Sequence, residues 1–441
     1  MNPNRPFSRR TFLQSTATLA AAAPFLLPER LWTADAPPSA RLTLGFIGVG
    51  TQGRGLMGGF LGRKEVQVVA VCDCDTTRRE AAKKRVEEHY TKQKESAFKG
   101  CDAYNDFRDL VARKDIDAVV IATPDHWHAL ISIAAANSGK DIYCEKPMSH
   151  SIHEAKAMID AVRNNQRVFQ TGSMQRSSKE FRTACELVRN ERIGKIQKVI
   201  VSVGGPGRPC DLPAEKDEPG LDWDLWLGPA PVRGYNSVLS PRGVHGHFPD
   251  WRAYREYGGG MITDWGAHHF DIAQWGLGMD ESGPVEIFPP DKPKAQTGAH
   301  YKYASGIEVF HDDGPGVAFF GSEGKIEVNR GQFKFWLGKE QKAESPGQCD
   351  AIAKEFLPEG SIRLYKSNDH GGDWLSCVRS RQKPICDVAI GASTVIVCHL
   401  VNLAYYHGQK LKWNPKKLQF VGGTGDPRWL DDTYRGNWKL T

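Results

Sequence analysis

The segment that most limits what this chain can fold into is LTLGFIGVGTQGRGLMGGF. Leu42 to Ile47 is an apolar run of strand length, and Gly48-Val49-Gly50-Thr51-Gln52-Gly53 follows it at once, opening a stretch of helical character. In a dinucleotide-binding turn the first glycine makes the tight bend, the second lets the backbone approach a pyrophosphate, and the third lets helix and strand pack closely. The helix N-terminus adds unpaired N–H groups and the positive end of a dipole. Gly48, Gly50, Thr51, Gln52 and Gly53 are therefore read as a phosphate cradle. Alone, GxGxxG is weak; its surroundings strengthen it. A second apolar strand, VQVVAVCD, ends at Asp73, about 20 residues beyond the last glycine, where a carboxylate binds adenosine ribose hydroxyls and repels a 2′-phosphate. This favours NAD as cofactor, with NADP kept as the alternative by Arg78 and Arg79 nearby.

The βα alternation continues through helix-like TTRREAAKKRVEEHY, strand DAVVIAT, helix WHALISIAAANSG, strand DIYCE, helix SIHEAKAMIDAV and strand RVFQTG. Such alternation predicts an α/β fold with a parallel, doubly wound sheet of the Rossmann type over residues 41–172. From Lys195 the pattern changes: KIQKVIVSVGG, GIEVF, GVAFFG and GKIEVNRGQFKFW alternate like strands with one covered face. Residues 173–441 are read as a second, α+β domain, and a mature chain of about 400 residues suits two domains.

Ahead of both stands SRRTFLQ followed by a short apolar run ending near Pro28. That run is below the ~20 residues a spanning helix needs, and a twin arginine before it is the address of a pathway that exports folded proteins. Residues 1–36 are thus read as a twin-arginine signal, the mature protein as periplasmic, without stable membrane insertion. Export of a folded chain fits a nucleotide made in the cytoplasm and carried out already bound. A formal charge of +6, partly in the leader, is too small and dispersed to argue for nucleic acid. The ten cysteines lack a CxxC pair, and a protein folded in the cytoplasm meets reducing conditions first, so free buried thiols are expected.

Two further segments, ATPDHWHA (Ala122 to Ala129) and CEKPMS (Cys144 to Ser149), stand at the ends of later strands, where ligands bind in open α/β sheets. A third, GGGMITDWGAHHFDIAQW, runs from Gly258 to Trp275. With the glycine turn, these motifs resemble the glucose-fructose oxidoreductase / inositol dehydrogenase / MocA family across essentially the whole mature chain, including LKWNPKKLQFVGG near its end. The resemblance implies that Lys146 of EKP reaches the nicotinamide ribose and the substrate hydroxyl, and that Pro147 follows a cis bond. It also implies that Thr123, Pro124, His128 and Glu145 belong to the cofactor site, and that the second domain is a largely antiparallel open sheet used in a homo-oligomer. Asp264 and His268 fall on the family's aspartate and histidine.

The spacing agrees: on a helix, Asp264, His268, Asp271 and Trp275 share one face, and His269 points about 100° away. Oxidising a carbinol needs a base for the hydroxyl proton, and imidazole suits it. His268 is the candidate base, Lys146 the group that holds a developing alkoxide, and Asp264 the residue that orients the imidazole or binds a sugar hydroxyl. The alternatives are a core histidine and a structural carboxylate. Gln175, Arg176, Trp251 and Arg252 are candidate substrate contacts. Trp223 and Trp226 are sugar platforms or core; His126 is a pocket or surface residue; His399, in an apolar helix, is core. His245 and His247 lack the spacing of a closed metal site, and none is assigned.

The function read from these residues is an exported oxidoreductase that acts on a sugar, glycoside or polyol with retained NAD. One alternative is a redox-neutral glycoside hydrolase or lyase that oxidises, eliminates, hydrates and re-reduces. The resemblance implies a THGLGP-like segment for that class, where this chain has TDWGAHHFD. The other is a non-catalytic sugar or nucleotide binder.

Overall fold

A computed structural model describes residues 41–94 and 97–440; the reading of residues 1–36 as an export signal lies outside the described residues. Strands β1 (Leu42–Ile47), β2 (Val66–Cys72), β3 (Asp102–Tyr104), β4 (Ala118–Ile121), β5 (Asp141–Cys144) and β6 (Phe169–Thr171) form a parallel sheet in the order β3-β2-β1-β4-β5-β6. This is the doubly wound order, in which the crossovers reverse direction between β1 and β4 and open a crevice at the carboxyl ends of those strands. β4 and β5 are buried at every position because helices cover both faces of the sheet. β3, a three-residue strand without an apolar run, escapes sequence reading; its pairing to β2 makes it a strand.

The helices after the strands begin where their sequences supply caps. Asp75 accepts from the Arg78 N–H at the start of Thr76–Lys92, and Ser151 with Glu154 forms a capping box on Ile152–Asn164. The helix Thr51–Leu61 differs: Gly50 stands at its N-cap and no side chain caps it. Its first N–H groups are left for something else.

The second sheet contains β7 (Ile196–Val201), β8 (Glu286–Phe288), β9 (His300–Lys302), β10 (Glu308–His311), β11 (Val317–Gly321), β12 (Gly324–Asn329), β13 (Gln332–Leu337), β14 (Glu340–Ala343), β15 (Leu411–Asn414) and β16 (Gln419–Phe420). Their order is β14-β13-β12-β11-β7-β10-β9-β8-β15-β16, and only β7 with β10 pairs parallel. One face carries the helices Lys179–Arg189 and Gly266–Leu277. Val388–His407 is long and apolar enough to cross a bilayer, but 72% of its apolar window is buried. It packs against Ile152–Asn164 and Gly266–Leu277, between the two halves of the fold. His399 there is buried with Nε2 3.2 Å from the Ser149 carbonyl, a core residue as its surroundings predict. All ten cysteines are free.

The break drawn at residue 172 separates the two sheets, but the core does not divide there. The helix His370–Ser380 returns from late in the chain to the first sheet, where Trp374, fully buried, meets Phe60 edge-on at 5.6 Å and Tyr143 at 5.7 Å. Replacing Trp374 by Ala leaves a large cavity at this seam and is expected to lower the unfolding free energy by about 3–5 kcal/mol, measured by urea denaturation. A loss below about 1 kcal/mol would show that the helix is not part of the first domain's cooperative core.

Candidate functional site

A cavity of about 470 Å³ opens at the β1/β4 crevice and is lined on one side by the glycine turn and on the other by residues of the second half. Gly48 takes φ +81°, and a Cβ there would meet the Thr123 nitrogen at 2.6 Å, so only glycine fits the turn. At Gly50 a Cβ would meet nothing within 4 Å. It would project into the cavity, across the capless N-terminus of Thr51–Leu61, where a pyrophosphate is best held. The residues present therefore fit a dinucleotide.

Asp73 lines the same cavity, and its carboxylate accepts from the Val49 N–H at 2.9 Å and the Asp75 N–H at 3.0 Å. Burial pushes its pKa up, against the pull of Arg78 and these two N–H groups. The arginines that kept NADP open are otherwise engaged. Arg78 is buried and donates to Ser240 Oγ at 3.1 Å, the Gly243 carbonyl at 3.3 Å and the Pro241 carbonyl. Arg79 donates to the Asp73 carbonyl at 2.6 Å and to Asn105 at 3.0 Å. Neither has a free fork for a 2′-phosphate.

At the other end, Thr123 and Pro124 follow β4, and Glu145 and Lys146 follow β5. Gln52 donates to Glu145 Oε1 at 2.8 Å, joining the cradle to the EKP turn. The Lys146–Pro147 bond is cis, as the resemblance implied. His128 clamps this turn to the preceding one: Nδ1 lies 2.7 Å from the Pro147 carbonyl and Nε2 2.9 Å from the Thr123 carbonyl. Burial pushes its pKa down to about 4, so the ring is neutral and only one contact is a hydrogen bond. His128 borders the cavity, but both of its nitrogens face backbone carbonyls.

Lys146 Nζ reaches across to the second half, 2.6 Å from Asp264 Oδ1 and 3.0 Å from the Asp264 carbonyl. Arg252 Nε lies 3.5 Å from the same carboxylate oxygen. Burial pushes the Asp264 pKa up, but Lys146 and Arg252 outweigh it and hold it below the ordinary value. His268, one turn on, lines the cavity and is neutral: burial, then the nearby charges of Lys146 and Arg330, hold it well below the ordinary histidine value. Its Nδ1 is buried without a partner among the described residues. His269 turns away, with Nδ1 3.0 Å from the Ser202 carbonyl, as the helical angle requires.

Trp251 and Arg252 line the cavity; Gln175 and Arg176 do not. Arg176 is 1% exposed and wholly taken by Asp271 and Asp280, with its Nη2 2.8 and 2.7 Å from their oxygens. It ties the segment after β6 to the helix Gly266–Leu277 and cannot reach a substrate. Gln175 is buried behind the wall, where its amide donates to the His268 carbonyl at 3.2 Å and accepts from Arg330 Nε at 3.2 Å. Trp223 and Trp226 stack on each other at 4.6 Å in a small core of their own, and Trp226 also lines the cavity. His126 is buried, not exposed, with Nε2 3.1 Å from the Trp226 carbonyl. Among the described residues no group of three or more His, Cys, Asp or Glu could hold a metal ion.

Three residues escaped sequence reading. Trp265 and Arg330 line the cavity; Trp265 sat beside Asp264 in a quoted motif without being singled out, and Arg330, from the turn between β12 and β13, is too far along the chain to leave a local signal. Asp125 sat inside a quoted motif, yet only burial reveals it. Burial first and the Asp264 charge second push its pKa up to about 8.

A sheet of this order, a capless helix end and a half-buried acid at the β2 terminus define a dinucleotide-binding protein. Residues 42–173 match the NAD-binding Rossmann fold of an oxidoreductase family, and residues 208–440 match that family's C-terminal alpha/beta domain. The chain belongs to the Gfo/Idh/MocA oxidoreductase family, and NAD is its cofactor. It is 35% identical over 178 residues to a glycosyl hydrolase family 109 protein of Shewanella sp. strain ANA-3, a match covering 36% of this chain and 38% of that one. It is 31% identical over 131 residues to an inositol 2-dehydrogenase of Salmonella paratyphi B, covering 30% and 36%. These matches span little more than a third of either relative. The WlbA dehydrogenase of Bordetella pertussis, solved with NADH and UDP-GlcNAcA, shares the fold with a TM-score of 0.58 at 18% identity, over 85% of this chain and 98% of that one.

The Asp125 shift makes a stability prediction. A carboxyl whose folded pKa is raised contributes stability that is complete below its unfolded value and lost as pH rises through the folded one. For Asp125 this window runs from about 3.8 to about 8. Asp125→Asn cannot ionise, so with nucleotide removed its stability relative to wild type should improve steadily across that window in urea titrations. A difference constant with pH would contradict the shift.

Proposed function

We propose that this protein oxidises or reduces a carbinol carbon of a sugar, glycoside or polyol, with NAD retained through the cycle. The observation that carries the reading is the convergence of Lys146, Asp264 and His268 on the wall of the cavity that also holds the glycine cradle. Bound NAD supplies the hydride acceptor or donor. The chain supplies the rest. His268 is unprotonated and can accept a hydroxyl proton at its cavity-facing edge. Lys146, fixed by two contacts to Asp264, sets a positive charge where an alkoxide develops, and a site sheltered from water makes that charge effective. The same charge lowers the pKa of a bound hydroxyl, which offsets the weak basicity of a buried imidazole.

Retention has its own support. The segment 241–248 lies across the cradle: Thr51 Oγ1 donates to the His247 carbonyl at 2.8 Å, Arg54 to the His245 carbonyl, and Arg78 to the Pro241 carbonyl. Ser240, His245 and Phe248 line the cavity with the cradle. A nucleotide held beneath this segment leaves only when these bonds break. SRRTFLQ supports export to the periplasm.

A redox-neutral glycosidase reading is favoured by the relative named for glycosyl hydrolase family 109. The two readings differ in product: an oxidised sugar or a cleaved glycoside.

Lys146→Ala and His268→Ala should each retain NAD and lower turnover by about 10²-fold or more, with His269→Ala milder. Loss through His269 and not His268 would show that the base is misassigned. Purified protein given substrate pairs and isotopically labelled free NAD should complete many turnovers without taking up label; label uptake at the turnover rate would overturn retention.

A further inference from the structure

Three cations face the substrate end of the cavity, each from a different part of the chain: Lys146 after β5, Arg252 from the 3-10 turn Asp250–Ala253, and Arg330 from the hairpin turn between β12 and β13. One carboxylate answers them. Asp264 lies 2.6 Å from Lys146 and 3.5 Å from Arg252, and Arg330 has no ion pair among the described residues. The other carboxyls that line the cavity do not close the balance. Asp73 is at the adenosine end with its oxygens on backbone N–H groups. Glu145 is engaged on the nucleotide side, accepting from the Gln52 amide at 2.8 Å and the Lys146 N–H at 3.3 Å. Asp125, at about 8, is mostly protonated at neutral pH. Asp250 is exposed at the rim, where water screens it.

Both arginines are also held as flat forks. The Arg252 guanidinium lies over Trp251 at 4.2 Å and Phe248 at 5.2 Å, with Nη1 on the Pro249 carbonyl at 3.1 Å. The Arg330 guanidinium lies over Trp265 at 4.7 Å, and the buried Gln175 amide takes its Nε at 3.2 Å. Holding Nε from behind and the plane from below leaves the Nη edge for a ligand. Stacked, pre-oriented guanidinium groups suit paired anionic oxygens. Arg330 is exposed on its hairpin turn and lines the cavity, so a ligand can reach it.

We propose that the substrate carries an anionic oxygen group, a sugar carboxylate or a sugar phosphate, and that Arg330, with Arg252, selects it. The proposal rests on the carbohydrate reading above and names the class of carbohydrate. In this role Arg330 is a specificity residue, while Lys146, Asp264 and His268 act on the carbinol.

The test compares matched sugars on the full-length protein: glucose with glucuronate, galactose with galacturonate, and glucose with glucose 6-phosphate. The better anionic class should exceed its neutral parent by about 10-fold or more in kcat/KM, the scale of one charge-assisted pair, with the difference chiefly in KM and shrinking as salt rises. Uronates and phosphate in separate arms identify the group. Arg330→Gln should bring the anionic-to-neutral ratio close to one, and Arg330→Lys should recover part of it; an unchanged melting temperature shows that the exposed turn still folds. Calorimetric titration of the same sugars reads selection without turnover. If no sugar is oxidised but an anionic one binds preferentially and Arg330→Gln abolishes this, the inference stands and the oxidoreductase reading fails. If neutral sugars are used or bound as well as both anionic classes, or Arg330→Gln leaves the ratio unchanged, the inference is overturned.

Discussion

The ion pair between Lys146 and Asp264 is the contact on which the site depends. Lys146 follows β5 of the first sheet and Asp264 precedes the helix Gly266–Leu277 that packs on the second. Both side chains are largely buried, at 16% and 12% exposure. Such a pair adds little net stability, because desolvating two charges offsets most of their attraction, but breaking it strands one of them. Its value is geometric: it fixes the second half's helix against the nucleotide half, so that His268 and Lys146 share one cavity wall. Asp125 is kept largely uncharged by its burial first and by the neighbouring Asp264 charge second, against the pull of Arg252 and Lys146.

Around that contact the chain divides labour between rigid and applied parts. The parallel sheet and the Arg176–Asp271–Asp280 cluster, whose charges are taken up by one another, form the scaffold. The segment between β7 and the helix Met261–Asp264 has little regular structure and its own small aromatic core. It supplies Phe248, Trp251 and Arg252 to the cavity and lays its carbonyls over the glycine cradle. A loop placed this way can vary its side chains without disturbing the sheet, which is where specificity is expected in such a fold. The hairpin that carries Arg330 does the same from the other sheet.

The comparisons bear on the class of chemistry more than on the substrate. The two family models together span both halves, whereas relatives with different activities in their names match over about a third of their length. The residues that distinguish substrates lie on loops and turns whose sequences are free to diverge.

Local chemistry made much of this legible in the sequence. An apolar run ending in GxGxxG, an acid at the end of the next strand, and Asp264 and His268 one turn apart each express a constraint that acts over a few residues. The doubly wound class of the first sheet and the glycine cradle could be read from them, while Lys146 was named through the family resemblance. Trp251 and Arg252 could be named but not oriented. The reading failed at Gln175 and Arg176, because a charged residue at a strand end looks the same whether it faces a ligand or a buried carboxylate, and only packing of Asp271 and Asp280 around Arg176 decides. Asp125 and Arg330 were invisible for the complementary reason. A carboxyl becomes a weak acid through burial and the field of Asp264, and an arginine becomes a pocket residue when a hairpin far along the chain folds over a sheet built much earlier. The sequence by itself determined the nucleotide cradle and the fold class, since both follow from periodicity and backbone geometry. Tertiary structure alone decided which charges are paired, which are neutral and which are left facing the substrate, because those properties belong to distances between residues that the chain's order does not contain.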